Sequence, residues 1–385
     1  MENEENLRRE AINMYLQQVP VKDISSHLGK TRQWVHKWIR VYQGSSDPDW
    51  FRSKSTAPKT NPMKTPGRIE ELVISIRKRM EDNIYAQKGA ISILYEFDRL
   101  GIKPPSISTI NRILSRNHLI KQSNVKRTRQ TEYPGYFLGV QQMDLIGPKY
   151  LKGGCKFYLY SIIDTENHFA RVYPIKDKSA QSIVSCLADF WKSYSIPDFL
   201  QMDNELSFRG SNRHPRGLGM LLRFAISNRV YPIFVPPAEP WRNGIVEKFN
   251  DNVLKYFYAR QTFSCFADIE EKAKQFSEFH NNNHRYSAQG NSTPMQMKEL
   301  NPRFISKLEK EIDLKIRIPI ETGRIIFIRF IRSNLKLTIL NTEFHLKPEL
   351  KYSYVVAEIV IEKHVLVVSQ NSTIHHIFEF AMPVS

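Results

Sequence analysis

Cysteine is scarce in this chain: three among 385 residues, at positions 155, 186 and 265. They lie too far apart for a zinc-ligand spacing and are too few for a disulfide framework, so a reduced, intracellular protein is expected. Long apolar runs are missing as well. None reaches the roughly 20 residues a membrane-spanning helix needs, and Met1-Glu2-Asn3-Glu4-Glu5 has neither the basic nor the apolar part of a signal peptide. Acidic residues are in deficit, 39 against 56 Lys plus Arg, for a net charge of +17. That balance favours a polyanionic partner, and with no spanning run no membrane partner is expected. The excess is uneven: residues 1–133 hold 24 basic and 14 acidic side chains, so +10 of the +17 falls in about a third of the chain.

A chain of this length is expected to form two or three domains. Near the start, Leu7, Ala11 and Tyr15 make one apolar stripe, Val21, Ile24 and Leu28 a second, and Val35, Trp38 and Tyr42 a third, with Gly29 as the turn. This is the rhythm of a helix-turn-helix over residues 1–45. Its third helix would turn Arg32, Gln33, His36, Lys37 and Arg40 outward, residue types suited to base edges and phosphates in a major groove. A linker rich in Ser, Thr, Lys and Pro fills 46–67. Residues 68–120 read as a second helical unit: Ile69 to Met80, Ala90 to Leu100 closed by Gly101, and a helix opened by Ser106 or Ser108 that carries Ile110, Ile113 and Leu114. Arg112 and Arg116 face away from that stripe. Lys121, Lys126, Arg127 and Arg129 then form a basic linker, 121–134, suited to tracking phosphates.

Three acids beyond the linker stand out by position. Val140 to Gly147 reads as a strand with Asp144 near its exit, and Lys152-Gly153-Gly154 turns the chain into the apolar run Phe157 to Ile163, ended by Asp164 as a hairpin residue. After a helix with Ile183, Leu187, Phe190 and Trp191, the short strand Phe199 to Met202 ends at Asp203. Strand, helix, strand implies a parallel pairing that brings Asp144 and Asp203 together. Glu247 lies at the mouth of a third element, a helix with Val246, Phe249, Val253 and Phe257 on one face. A single acid after a strand is usually a turn former. Three that converge would repel one another, by about 4 kcal/mol for a pair about 4 Å apart at an effective dielectric near 20. Convergent carboxylates therefore suit hard, oxygen-seeking cations, and two Mg2+ or Mn2+ ions are expected, held by Asp144, Asp203 and Glu247 for phosphodiester transfer.

These segments resemble the catalytic blocks of the retroviral-integrase superfamily, in particular bacterial insertion-sequence transposases of the DDE type. The resemblance is carried by Asp144, by Asp203-Asn204, by Pro237 and Asn243-Gly244-Ile245-Val246-Glu247, by Phe279-His280-Asn281-Asn282-Asn283-His284-Arg285, and by Thr293-Pro294-Met295-Gln296. It covers roughly residues 135–300 and implies a ribonuclease H-like α/β core with a mixed five-stranded sheet. It also implies a DNA transposase or integrase that cleaves 3′ ends and transfers strands, with double-stranded DNA (terminal repeats and target) as partner. At least a dimer on DNA, and a cytoplasmic, nucleoid-associated setting of bacterial type, come with it. Two departures matter. Glu205 follows Asp203-Asn204 where the family commonly has Gly, and the 43 residues between Asp203 and Glu247 exceed the usual spacing. Glu239 fits that spacing better but lies between Pro237 and Pro240, before the helix; Glu247 holds the family context. The segment Arg209 to Arg216 reads as the insertion.

On the helix after Glu247, Lys248, Asn252 and Lys255 are expected to share a polar face, with Lys248 and Lys255 toward the DNA end or merely at the surface. Trp241 is expected to pack, with base stacking as the other option, and His280 and His284 are read as structural. From Ile312 onward the chain is dense in β-branched and aromatic residues, and five short strands over 312–385 suggest a small SH3-like barrel. The expected fold is thus multidomain: helix-turn-helix units, an α/β core and an all-β barrel. A catalytically inactive, domesticated DNA-binding protein or a regulator is the alternative reading.

Overall fold

The computed structural model describes residues 2–53, 65–120, 133, 137–210, 216–300, 307–308 and 318–382. The basic linker residues Lys126, Arg127 and Arg129 lie outside them, as does most of the presumed insertion. The chain divides into two compact units, Met1–Lys64 and Thr65–Ser385.

In the first unit, α1 (Glu2–Leu16), α2 (Val21–Leu28) and α3 (Arg32–Gln43) enclose a small core of Ala11, Ile12, Ile24, Val35 and Ile39. Gly29 ends α2 at φ 62°, a left-handed cap that glycine adopts without strain. Thr31 opens α3 by accepting the N–H of Trp34. Ile39 is the inward residue where Trp38 was expected; Trp38 and Tyr42 are half-buried at the rim. Arg32, Gln33, His36, Lys37 and Arg40 are all exposed.

The second unit starts with α4 (Gly67–Asp82), α5 (Ala90–Arg99) and α6 (Ile107–Arg116), packed around Val73, Ile76, Ile93, Phe97, Ile110 and Leu114. Ser106, not Ser108, caps α6. Arg112 and Arg116 are exposed, and Arg116 pairs with Glu70 at 2.7 Å.

A nine-stranded sheet follows, in the order β11-β10-β9-β6-β5-β4-β1-β2-β3. The core contributes β1 (Val140–Tyr150), β2 (Lys156–Asp164), β3 (Ala170–Ile175), β4 (Phe199–Met202) and β5 (Tyr231–Phe234). The meander β1-β2-β3 is antiparallel, and β1-β4-β5 run parallel through crossovers containing α7 (Ala180–Ser193), then α8 (Leu206–Arg209) and α9 (Met220–Ser227). Strand alternation sorts the two faces. Tyr158, Tyr160 and Ile162 face α7 and α9, whereas Phe157, Leu159 and Ile163 face α10 (Gly244–Asn252) and α11 (Phe266–Asn283). A short α12 (Pro294–Leu300) comes after α11.

The C-terminal strands, expected as a small barrel, are joined to the core's sheet. Among the described residues six strands form rather than five: β6 (Arg324–Phe330), β7 (Lys336–Ile339), β8 (Thr342–His345), β9 (Tyr354–Val360), β10 (Val365–Gln370) and β11 (Thr373–Glu379). Strands β6, β9, β10 and β11 continue the core's sheet through a parallel β5–β6 pair, while β7 and β8 form their own hairpin. The reason lies in β6, where Ile325, Ile326, Phe327 and Ile328 are all buried. A strand covered on both faces belongs inside a sheet, not on the wall of a small barrel with one face in water. No helix of the described residues is long and apolar enough to cross a membrane.

Candidate active site

Parallel pairing of β1 with β4 ends at Gln142 opposite Gln201. Asp144 lies two residues further along β1 and Asp203 directly follows β4, so the register brings both acids to the end of the β1–β4 pairing. Glu247 arrives on the first turn of α10, and β1 itself fixes that helix. The Gln142 side-chain oxygen accepts the N–H of Val246 at 3.0 Å, satisfying a donor that a helix start leaves unpaired, and the Asn243 amide donates to the carbonyl of Met143 at 3.1 Å. Gln201 donates to the Arg242 carbonyl and to Asn243 Oδ1. Burial of Val246, Phe249 and Val253 against β2 and α11 then holds α10 down.

The acids sense one another. Asp144 is pushed up to about 6, first by burial, then by the charges of Asp203, Glu247 and Glu205, against the pull of the Leu145 N–H. Burial also raises Asp203, with Glu205 adding to it and Lys178 opposing, and burial raises Glu247, helped by Asp251. Asp144, Glu247, Lys248 and Asn250 line one open depression, which Asp203 does not line. Among the described residues no group of three or more His, Cys, Asp or Glu side chains is close enough to hold a metal ion. The three acids are thus near enough for the charges of Asp203 and Glu247 to raise Asp144, without closing into one metal-sized group among the described residues. The donor set nonetheless suits a hard dication. It is all oxygen, its protons are held more tightly than usual, and the buried Oδ1 of Asn250 has no hydrogen-bond partner beside it.

Several contacts escaped the sequence. Asn250 donates to Asp144 Oδ2 at 2.7 Å. It lies three residues after Glu247, hence on the same side of α10, and that spacing was the available signal. Glu205, the added charge beside Asp203, pairs with Lys178. Glu239 is committed elsewhere: its Oε2 accepts from Arg242 at 3.0 Å and from the Tyr354 hydroxyl at 2.7 Å. Lys248 and Lys255 are exposed as expected, but Asn252 is buried, lining a small cavity with Tyr85, Tyr256, Phe276 and Phe279. Trp241 is 54% exposed rather than packed, while Asn243 beside it is buried. His280 is buried in α11, and His284, at its end, stacks on it.

Residues 228–294 match the family model of an integrase core domain, and residues 3–50 that of a homeodomain-like domain. The two matches fall on parts of the chain only, one on the stretch from the end of α9 to the start of α12 and the other on the three helices of the first unit. Among solved structures, the HTLV-2 integrase catalytic core domain in complex with magnesium is similar in a dimeric form (18% identity, TM-score 0.31, 41% of this chain and 94% of that one). Its trimeric form is too (18%, TM-score 0.33, 43% and 99%), as is the BIV integrase catalytic core (16%, TM-score 0.31, 42% and 94%). No curated protein matches the chain.

Proposed function

We propose that the protein is a DNA transposase or integrase that cleaves 3′ ends of a mobile element and joins them to target DNA, using divalent metal ions. One observation supports this reading: the β1–β4 register leads to Asp144 on one strand and to Asp203 just after the other, and β1 also caps the helix bearing Glu247. Asp144, Asp203 and Glu247 would hold Mg2+ or Mn2+, which when bound supplies charge neutralisation at phosphorus and a more acidic water. The chain's own residues do the rest. Asn250 orients the Asp144 carboxylate, Gln142 and Asn243 keep Glu247 at the helix start, and Lys248 and Lys255 offer exposed cations to the DNA end. Arg32, Gln33, His36, Lys37 and Arg40 would contact bases and phosphates of the terminal repeats, with Arg112 and Arg116 adding phosphate contacts. Domain limits of 1–45, 68–120 and 135–300 serve this division of labour, and at least two subunits would bridge the element's ends.

The test is a gel assay with labelled end DNA. Nicked and joined products are expected with Mg2+ or Mn2+, and neither with Asp203→Asn. A wild type that binds DNA but never nicks it would leave only an inactive DNA-binding protein. Asn250→Ala is expected to raise the metal concentration for half-maximal cleavage by about 10–100-fold, as loss of a ligand's orienting partner does elsewhere. An unchanged metal requirement would remove Asn250 from the site.

A further inference from the structure

We propose that Arg329, on β6, is a positioning residue for the Asp203 loop, so that the C-terminal strands act inside the active site's framework rather than as a separate module. This rests on the reading of Asp203 as a metal-binding carboxylate. Arg329 Nη2 donates to Asn204 Oδ1 at 2.8 Å, and Nη1 donates to the carbonyls of Val235 at 3.1 Å and Ile328 at 2.9 Å. Asn204 in turn donates to the Val235 carbonyl at 2.7 Å, and the Val235 N–H to the Met202 carbonyl at 3.1 Å. The ends of β4, β5 and β6 are thereby tied at one point, the residue directly after Asp203. Next along the loop, Glu205 donates its backbone N–H to Asp203 Oδ1 at 2.9 Å and is itself held by Lys178. The loop after Asp203 is thus held at two successive residues.

Stability alone does not call for this choice. The guanidinium is half-buried, donating to neutral oxygens, and its desolvation lowers its pKa to about 10. An apolar side chain of similar length would avoid that cost. What an apolar side chain lacks is the planar fork that bonds Asn204 and Val235 together.

The experiment compares full-length wild type, Arg329→Met and Arg329→Lys in three measurements: Tm with and without Mn2+, duplex binding in EDTA, and kcat for end cleavage against metal concentration. Arg329→Met is expected to keep the metal-free Tm and the duplex affinity. It should lose most of the Mn2+-induced rise in Tm and need about 10–100-fold more metal for cleavage. Arg329→Lys, with one donor centre in place of the fork, should recover part of both. Wild-type metal response in Arg329→Met would overturn the proposal, and so would a kcat deficit that only follows a lowered Tm and vanishes on cooling. A wild type with neither Mn2+ stabilisation nor cleavage would instead sink the functional reading, and the positioning role with it.

Discussion

Glu247→Gln is expected to reduce metal-dependent strand cleavage about a thousandfold or more, while Glu239→Gln leaves it within about tenfold. A metal ion's stabilisation of developing charge is worth several kcal/mol, and each 1.4 kcal/mol is tenfold in rate, so a neutral amide in place of one ligand has that scale of effect. Glutamine matches the volume of glutamate, so α10 should keep its packing through Val246, Phe249 and Val253. Glu239 has a different occupation. It ties Arg242 to Tyr354 on β9, with Arg242 also lying 4.0 Å over the Tyr133 ring. Its loss should appear as about 1–3 kcal/mol of stability, not as loss of chemistry. Single-turnover cleavage and thermal unfolding of the two variants separate these outcomes. The reverse pattern, an inactive Glu239→Gln and an active Glu247→Gln, would overturn the proposed assignment of the third acid.

Local pattern made the elements of the site readable and left their bracing hidden. The stripe Val246, Phe249, Val253 and Phe257 follows helical spacing, and all four side chains are buried. The apolar run Phe157 to Ile163 likewise marked β2, and the Gly153-Gly154 turn before it the meander with β1. Asp144 and Asp203 were legible from a strand pattern around the first and a short apolar strand before the second, joined by a crossover helix, although β1 runs on to Tyr150 past the exit expected near Asp144. Gln142, Asn250 and Arg329 were not, since a hydrogen bond spanning 104, 106 or 125 residues leaves no periodic trace. The same holds for joining the C-terminal strands to the core. Ile325 to Ile328 form a continuous apolar run, the mark of a strand covered on both faces, yet a run that short fits a barrel wall as well until its neighbours are known. Strand β8, Thr342–His345, was missed because it has only one apolar side chain, Phe344.

Replacing Asp164 by Asn is expected to stabilise the protein by up to about 4 kcal/mol at pH 8 and to make little difference at pH 4. Asp164 ends β2 and is 1% exposed; its Oδ1 accepts the N–H groups of Glu166 at 2.9 Å and Asn167 at 3.1 Å. Burial, with the Glu166 charge adding to it, pushes the carboxyl up to about 7, although those two N–H groups and the Tyr194 hydroxyl pull it down. An unfolded aspartate titrates near 4. A folded value above the unfolded one gives stability that is complete below pH 4 and lost as pH rises through 7. About three pH steps at about 1.4 kcal/mol each set the figure. Asparagine keeps the acceptor oxygen, carries no charge, and offers its amide to Tyr194. The neighbouring histidines tilt the other way: burial lowers His284 to about 4 and His280 well below its usual value, so both cost stability as pH falls from about 6.5. The wild-type curve therefore mixes opposing slopes, and the difference between wild-type and Asp164→Asn Tm across pH 4–9 isolates the carboxyl. A difference that stays flat over that range would mean that Asp164 ionises in the fold as freely as in water, with its N–H donors outweighing burial.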